Sequence, residues 1–184
     1  MRNRILTKES VLDAAEKIIV EEGMSQCSMR HISSALGVAV GTIYNYYSSR
    51  EELLIDLFTI SWKRTVMKAQ SVVDASKERG LQITEFFDVV MADVKNRNGL
   101  GKEIYIFNSY VKDVEEKTLN IRNELSLVLE AILNQKTGEE KANKVLCRWM
   151  ITIFVDALIN ERELTDDERL MMIQIIELDF DLGQ

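Results

Sequence analysis

An all-α fold is predicted for this chain of 184 residues, and three observations predict it. Proline is absent altogether, so no helix interior is broken by one. Leu, Glu, Lys, Met and Ala recur at helical spacing. Alternating apolar and polar runs, the mark of half-buried strands, are sparse. With 46 % apolar and 29 % charged residues the composition is that of an ordinary soluble globular protein. The length suits one domain, or a small domain joined to a larger one. The longest apolar runs fall far short of a membrane span. The opening MRNRILTKES carries charge but no apolar stretch of signal-peptide length. Cys27 and Cys147 stand far apart and read as reduced, buried thiols, as expected of a cytoplasmic protein.

The first helix is TKESVLDAAEKIIVEEG. Thr7 is a suitable N-cap, Val11, Ala14, Ala15, Ile18 and Ile19 form one apolar face, and Gly23 can end it. SMRHISSALG is a shorter helix, with Ser28 capping, Ile32, Ala35 and Leu36 inward, and Gly37 closing. VAVGTIYNYYSS is a third, roughly two turns long. The fourth starts at Ser49, where Ser49-Arg50-Glu51-Glu52 spells a capping box, and runs on through LLIDLFTISWKRTVMKAQSVVDAS. Two short helices joined by a glycine-containing turn and propped by a preceding helix make a helix-turn-helix.

Beyond it, LQITEFFDVVMADVKNR is a helix between Gly80 and Gly99. GKEIYIFNSYVKDVEEK is mixed in signal. Its Ile104-Tyr105-Ile106-Phe107 run resembles a strand, but no partner strand is evident and a helix is expected. LNIRNELSLVLEAILNQKTG is a helix closed by Gly138. In EEKANKVLCRWMITIFVDALINERE the polar side is Lys144, Arg148, Thr152, Asp156 and Asn160, and nearly everything else is apolar. The last helix opens with a second capping box, Thr165 to Glu168, and is apolar around most of its circumference. Apolar surface this wide needs partners on two sides. Pairing of two copies through the last two helices, as a four-helix interface, is the simplest way to bury it.

Charge is unevenly placed. The net charge is −7, yet from Gly23 through Ser49 there is no Asp or Glu, and that stretch holds Arg30 and the only histidine, His31, with Arg50 next. The first eight residues, with Arg2, Arg4 and Lys8, are also free of acid. Phosphate binding needs a local surface without repelling carboxylates, not a basic whole protein.

VLDAAEKIIVEEG, SMRHISSALGV and GTIYNYYSSREELL, in that order and spacing, resemble the DNA-binding domain of TetR-family transcriptional repressors. The family's form of the last element is Gly-Thr-Leu-Tyr-x-x-Phe, then Ser-Lys-Glu and Leu-Leu. Here Gly41, Thr42, Ile43, Tyr44 and Tyr47 fill the first part, and Ser49, Arg50, Glu51, Leu53 and Leu54 the second. Three positions depart from the pattern. Ala39 stands where Ser or Thr is common, so the recognition helix loses a side-chain cap. Val40 replaces a polar or basic residue and offers only apolar contact, as to a thymine methyl. Arg50 replaces Lys and adds a forked donor.

The resemblance implies residues 1–61 as the DNA-binding domain and 62–184 as a helical effector-binding and dimerisation domain. Ile43 and Tyr47 should pack inward on Ile32, Leu36 and the first helix, and Gly41 should let the backbone approach the duplex. Thr42, Tyr44 and Arg50 are expected on phosphates, and Ser28 with the free amides behind it forms an anion site. Asn45 and Tyr46 are expected to project toward the groove, Asn45 reading adenine or holding a phosphate. His31 should be a surface or phosphate-proximal residue. It has no second histidine and no cysteine pair near it, and the chain holds no phosphate-binding glycine loop or nucleophile elbow, so no catalytic residue, metal or cofactor is expected.

Trp62, Phe86, Phe87, Tyr105, Tyr110, Trp149 and Phe154 are candidates to line an apolar effector pocket, and equally to be filled core. Few ionisable groups fall among them, Asp88 and Asp156 being the exceptions, so the expected effector is largely hydrophobic or aromatic, with a cation admissible. The expected partners are operator DNA, a second copy of the chain and this small molecule. A DNA-binding regulator controlled by a protein partner, with no small-molecule ligand, is the alternative.

Overall fold

A computed structural model of the chain describes residues 6–96, 112–135, 143–160, 162 and 164–182, and among them all regular structure is helical. The helices are α1 (Lys8–Glu22), α2 (Met29–Leu36), α3 (Val40–Tyr44), α4 (Arg50–Gln70), α5 (Arg79–Lys95), α6 (Lys112–Asn134), α7 (Lys144–Ile159) and α8 (Asp166–Leu182), with a 3₁₀ turn at Met24–Gln26.

Local chemistry sets most of the ends. Thr7 caps α1 in a reciprocal box with Ser10: the Ser10 N–H donates to Thr7 Oγ1 at 3.1 Å and the Thr7 N–H to Ser10 Oγ at 3.0 Å. Ser28 caps α2 by accepting from the His31 N–H at 3.1 Å. Gly37 closes that helix with φ 69°, and the Val38 N–H then reaches the Ser33 carbonyl at 3.0 Å; this left-handed cap is where glycine costs least. Ser49 caps α4 by accepting from the Glu52 N–H. The predicted box there closes one residue early, because Glu52 accepts from the Ser48 N–H (2.8 Å) and hydroxyl (2.6 Å), not from Ser49. The Thr165–Glu168 box on α8 is complete.

Three expectations are corrected. The recognition helix is five residues long rather than about two turns, because Asn45 and Tyr46 turn away to bring Tyr47 inward. The α5 helix includes Gly80 instead of starting after it. The segments expected as two helices around residue 118 are one continuous helix, α6. Gly99, Gly138, Tyr105, Tyr110 and the run 104–107 lie outside the described residues.

One apolar cluster runs from Val11 on α1 to Ile176 on α8. The first half of α4 contributes Leu53, Leu54, Leu57 and Phe58 among α1–α3; its second half contributes Trp62, Val66 and Ala69 to the bundle of α5–α8. Aromatic rings meet edge-on along the way: Phe58 with Trp62 (centroids 6.3 Å), Phe86 with Phe87 (5.2 Å), and Phe87 with Phe154 across α5 and α7 (4.8 Å). Offsetting ring edge against ring face matches the charge pattern of the rings. Buried Gln82 pins the α4–α5 connection, accepting from the Asp74 N–H and donating to the Lys77 carbonyl and to Gln135 just past α6. Cys27 and Cys147 are buried and not joined in a disulfide, as expected.

Candidate nucleic-acid interface

The head is built around α3. Ile43 and Tyr47 are fully buried, as their four-residue spacing predicts. The Tyr47 hydroxyl donates to Asp56 Oδ2 on α4 at 3.0 Å, and Lys8 Nζ of α1 lies 2.8 Å from the same oxygen and 4.7 Å from the Tyr47 ring centre. Burial, with the Asp56 hydrogen bond and charge added, holds the Tyr47 hydroxyl well above the usual phenol range, so it remains a donor. Burial also pushes the Asp56 carboxyl up, but the Lys8 and Tyr47 hydrogen bonds and the Lys8 and Lys117 charges outweigh it, and the group sits below the ordinary carboxylate range.

With that anchor in place, the remaining face of α3 points outward. Val40, Gly41, Tyr44 and Asn45 are exposed, Tyr44 by 52 %, and Thr42 is half-buried. Ala39 caps α3 with no side-chain hydrogen bond, leaving its first amides without a side-chain acceptor. A Cβ added to Gly41 meets no atom of the protein within 4 Å. Ser28 and Arg30, at the start of α2, are exposed as well.

Two expected contacts are corrected. The Arg50 guanidinium faces into the chain: Nε donates to the Cys27 carbonyl at 2.5 Å and Nη2 to the Met24 carbonyl at 2.9 Å. It holds the 3₁₀ turn against the start of α4 and is a positioning residue, not a phosphate clamp. Burial raises the neighbouring Cys27 thiol to about 11, with the Arg50 charge opposing, so that thiol is unreactive at neutral pH. Tyr46 does not project toward a groove; it is half-buried and its hydroxyl donates to the Leu6 carbonyl at 2.7 Å. His31 is half-buried at the surface, with Nδ1 3.1 Å from the Gln26 carbonyl and Nε2 3.6 Å from Glu22. Sequence spacing placed Arg50 and Tyr46 near the face but could not aim them, because their partners come from 23 to 40 positions away.

In the bundle, Trp62, Phe86, Phe87 and Phe154 are buried together, whereas Trp149 is 68 % exposed on α7 and lines no interior. Asp88 is paired with Arg169 of α8 at 2.7 Å, and Asp156 with Arg122 of α6. Each carboxylate is engaged by an arginine from another helix and stays about half exposed. No group of metal-ligand side chains occurs among the described residues, and none of the described helices is long and apolar enough to cross a membrane.

Residues 11–57 match the family model described as bacterial regulatory proteins, tetR family. Over 132 residues the chain is 25 % identical to the fatty acid metabolism regulator protein of Bacillus subtilis, covering 70 % of this chain and 63 % of that protein; it thus spans less than two thirds of that relative. Its fold matches that of a TetR transcription regulator from Haloarcula marismortui (TM-score 0.71, 16 % identity, 95 % and 96 % of the two chains covered). It also matches BioQ in complex with its double-stranded DNA operator (TM-score 0.65, 16 % identity, 96 % and 99 % covered).

Two measurements check the head. Replacing Arg50 by Ala leaves two carbonyls short of a donor, so unfolding free energy should fall by about 1–3 kcal/mol in urea titrations, while the salt slope of DNA binding stays unchanged; a shallower slope would restore the clamp. Asp56, with its carboxyl depressed in the folded state, contributes stability above the unfolded carboxylate pKa that is lost as pH falls through the lower folded value. Asp56→Asn should lower stability by about 1 kcal/mol at neutral pH and flatten the acid limb of the pH–Tm curve; an unchanged acid limb would exclude Asp56 as its source.

Proposed function

Because its N-terminal helix-turn-helix is that of a TetR-family DNA-binding regulator, we propose that this chain acts as a homodimeric repressor. It reads a palindromic operator, and a largely hydrophobic or aromatic molecule in the 62–184 domain releases it. The observation that carries the DNA half is the outward face of α3, where Val40, Gly41, Tyr44 and Asn45 are exposed although the same five-residue helix buries Ile43 completely. Tyr44 and Thr42 supply hydroxyls for phosphate oxygens, Ser28 and the amides behind it an anion site, and Asn45 a base edge or a phosphate. Two such heads on a two-fold axis meet successive major-groove turns.

Support for the dimer comes from apolar side chains that the protomer leaves uncovered on its last two helices. Val145, Trp149 and Ile153 recur every four residues on α7, and Leu170, Met171, Ile175 and Leu178 lie along α8. A second copy set against both helices buries them in a four-helix interface. The effector class rests on the apolar, aromatic bundle and fits a relative named for fatty acid metabolism. The edge-on packing of Phe86, Phe87 and Phe154 favours the second reading, control by a protein partner. The function is regulatory rather than enzymatic, and its place is the cytoplasm.

Gly41→Ala separates folding from recognition. The new methyl has open space and improves helix propensity by up to about 1 kcal/mol, so Tm should hold or rise while operator affinity falls at least roughly tenfold, about 1.4 kcal/mol, in fluorescence anisotropy. Parental affinity in this variant would remove the close approach of α3 to DNA.

For assembly, the seam residue is Ile175, 40 % exposed, and not Ile176, which is 1 % exposed and belongs to the protomer core. Ile175→Glu should give a folded monomer in sedimentation, whereas Ile176→Glu should lose several kcal/mol of protomer stability. A parent chain that sediments as a monomer at micromolar concentration would end the dimer proposal.

A further inference from the structure

Val40 is an apolar side chain that the fold itself does not use. It is the first residue of α3, entered from an extended Ala39 (φ −68°, ψ 145°), and 40 % of it stays exposed. Val38, two positions earlier, packs against the core, and Val40 does not. Among the described residues ahead of Ile60, Val40 and Tyr44 are the large hydrophobic side chains left exposed. They stand four apart and so share one side of α3. Gly41 follows Val40, and a Cβ added there meets nothing within 4 Å, so the leading end of the helix is open to close approach. A β-branched side chain lowers helix propensity slightly, and no packing inside the protomer offsets that cost here. The charge around it suits a polyanion, since Gly23 through Ser49 holds no Asp or Glu.

We propose that Val40 is a specificity-determining residue, and that it reads the C5-methyl of a thymine in each operator half-site. The proposal rests on the DNA-binding reading and adds to it a base that the half-site must hold. In the major groove every base pair shows polar groups, and thymine alone adds a methyl. The first residues of a recognition helix are the ones that reach base edges. Valine neither donates nor accepts a hydrogen bond. Set against a purine N7 or O6, or an exocyclic amine, it displaces water and returns no bond, which costs affinity. Set against the thymine methyl it buries apolar surface on both partners. Val40 therefore selects thymine twice, by contact with its methyl and by penalty against the other bases. In a helix valine holds nearly one χ1 rotamer, so its two methyls are presented at little cost in side-chain entropy. The thymine methyl lies on one strand only, so the same contact fixes which strand carries the base.

The test begins with a randomised duplex library of roughly 30 base pairs, long enough for two half-sites one turn apart, enriched on the full-length parent chain. In the enriched duplex each thymine is then replaced by deoxyuridine, one symmetry-related pair at a time, which removes the methyl and nothing else. One buried methyl is worth about fourfold in affinity, so replacing the pair that faces Val40 should weaken binding roughly fifteenfold. Val40→Ser removes both valine methyls at an exposed position. It should leave Tm nearly unchanged, weaken binding to the thymine duplex, and bind the deoxyuridine duplex at that pair equally well to within about twofold, as coupling between the two groups requires. A duplex in which no thymine pair responds to deoxyuridine overturns methyl readout while leaving the DNA-binding reading intact. A response that survives at full size in Val40→Ser overturns Val40 as the reader and moves the methyl to another side chain of the same face, such as Tyr44. A parent chain that enriches no duplex overturns the DNA-binding reading as well.

Discussion

Asp56 accepts two hydrogen bonds on one oxygen, from the Tyr47 hydroxyl and from Lys8 Nζ, and the head is arranged around that carboxylate. A helix of five residues, such as α3, cannot hold itself: most of its amides and carbonyls have no partner within the helix, and nucleation costs more than so few bonds return. Its position comes from Ile43 and Tyr47, buried against α1 and α4, and the orientation of Tyr47 comes from Asp56. The same carboxylate draws the first residue of α1 onto α4, so α1, α3 and α4 meet at one charge. Pairing and hydrogen bonding offset what burial costs that carboxylate, and the result is a rigid base from which the outward face of α3 is presented.

A second device stabilises the same base from the other side. Arg50 donates to two carbonyls at the 3₁₀ turn, where α1 ends and α2 has not begun. Such carbonyls have no regular ladder to join, and a guanidinium can serve two of them at once because its donors are fixed in a plane. Arg64 on the outer face of α4 pairs with Glu16 of α1 at 2.6 Å. The head is thus clamped to α4 at its first residue, nearly two turns further on, and again about two thirds of the way along it.

The α4 helix is about 31 Å long at 1.5 Å per residue, and it is a core element at both ends. Trp62 and Val66 pack into the bundle while Leu54 and Phe58 pack into the head. On the bundle side Thr65 and Lys68 bind Asp93 of α5. A rod fastened at both ends passes a tilt from one end to the other, because packed interiors shift as units and do not stretch. This is the mechanical link that the proposed release of operator by a ligand or partner requires.

The sequence by itself determined what depends on neighbours a few positions apart. Helix caps at Thr7, Ser28, Ser49 and Thr165, the left-handed Gly37, the inward pair Ile43 and Tyr47 and the helical character of every described element follow from spacings of three to five residues, and these were legible. So was the exposed face of α3, because burying one face of so short a helix leaves the other out. Only the tertiary structure decided where long side chains point. Arg50 and Tyr46 occupy the positions expected of them, but each finds a backbone carbonyl brought near by folding. Trp149 and Phe154 sit five apart on one apolar helix, yet one faces solvent and the other a phenylalanine of α5. Asp88 and Asp156 look like free acids in the sequence, and their arginines lie on other helices. A side chain several bonds long samples many directions at little cost, so its partner is chosen by what folding delivers within reach, and no local pattern carries that information.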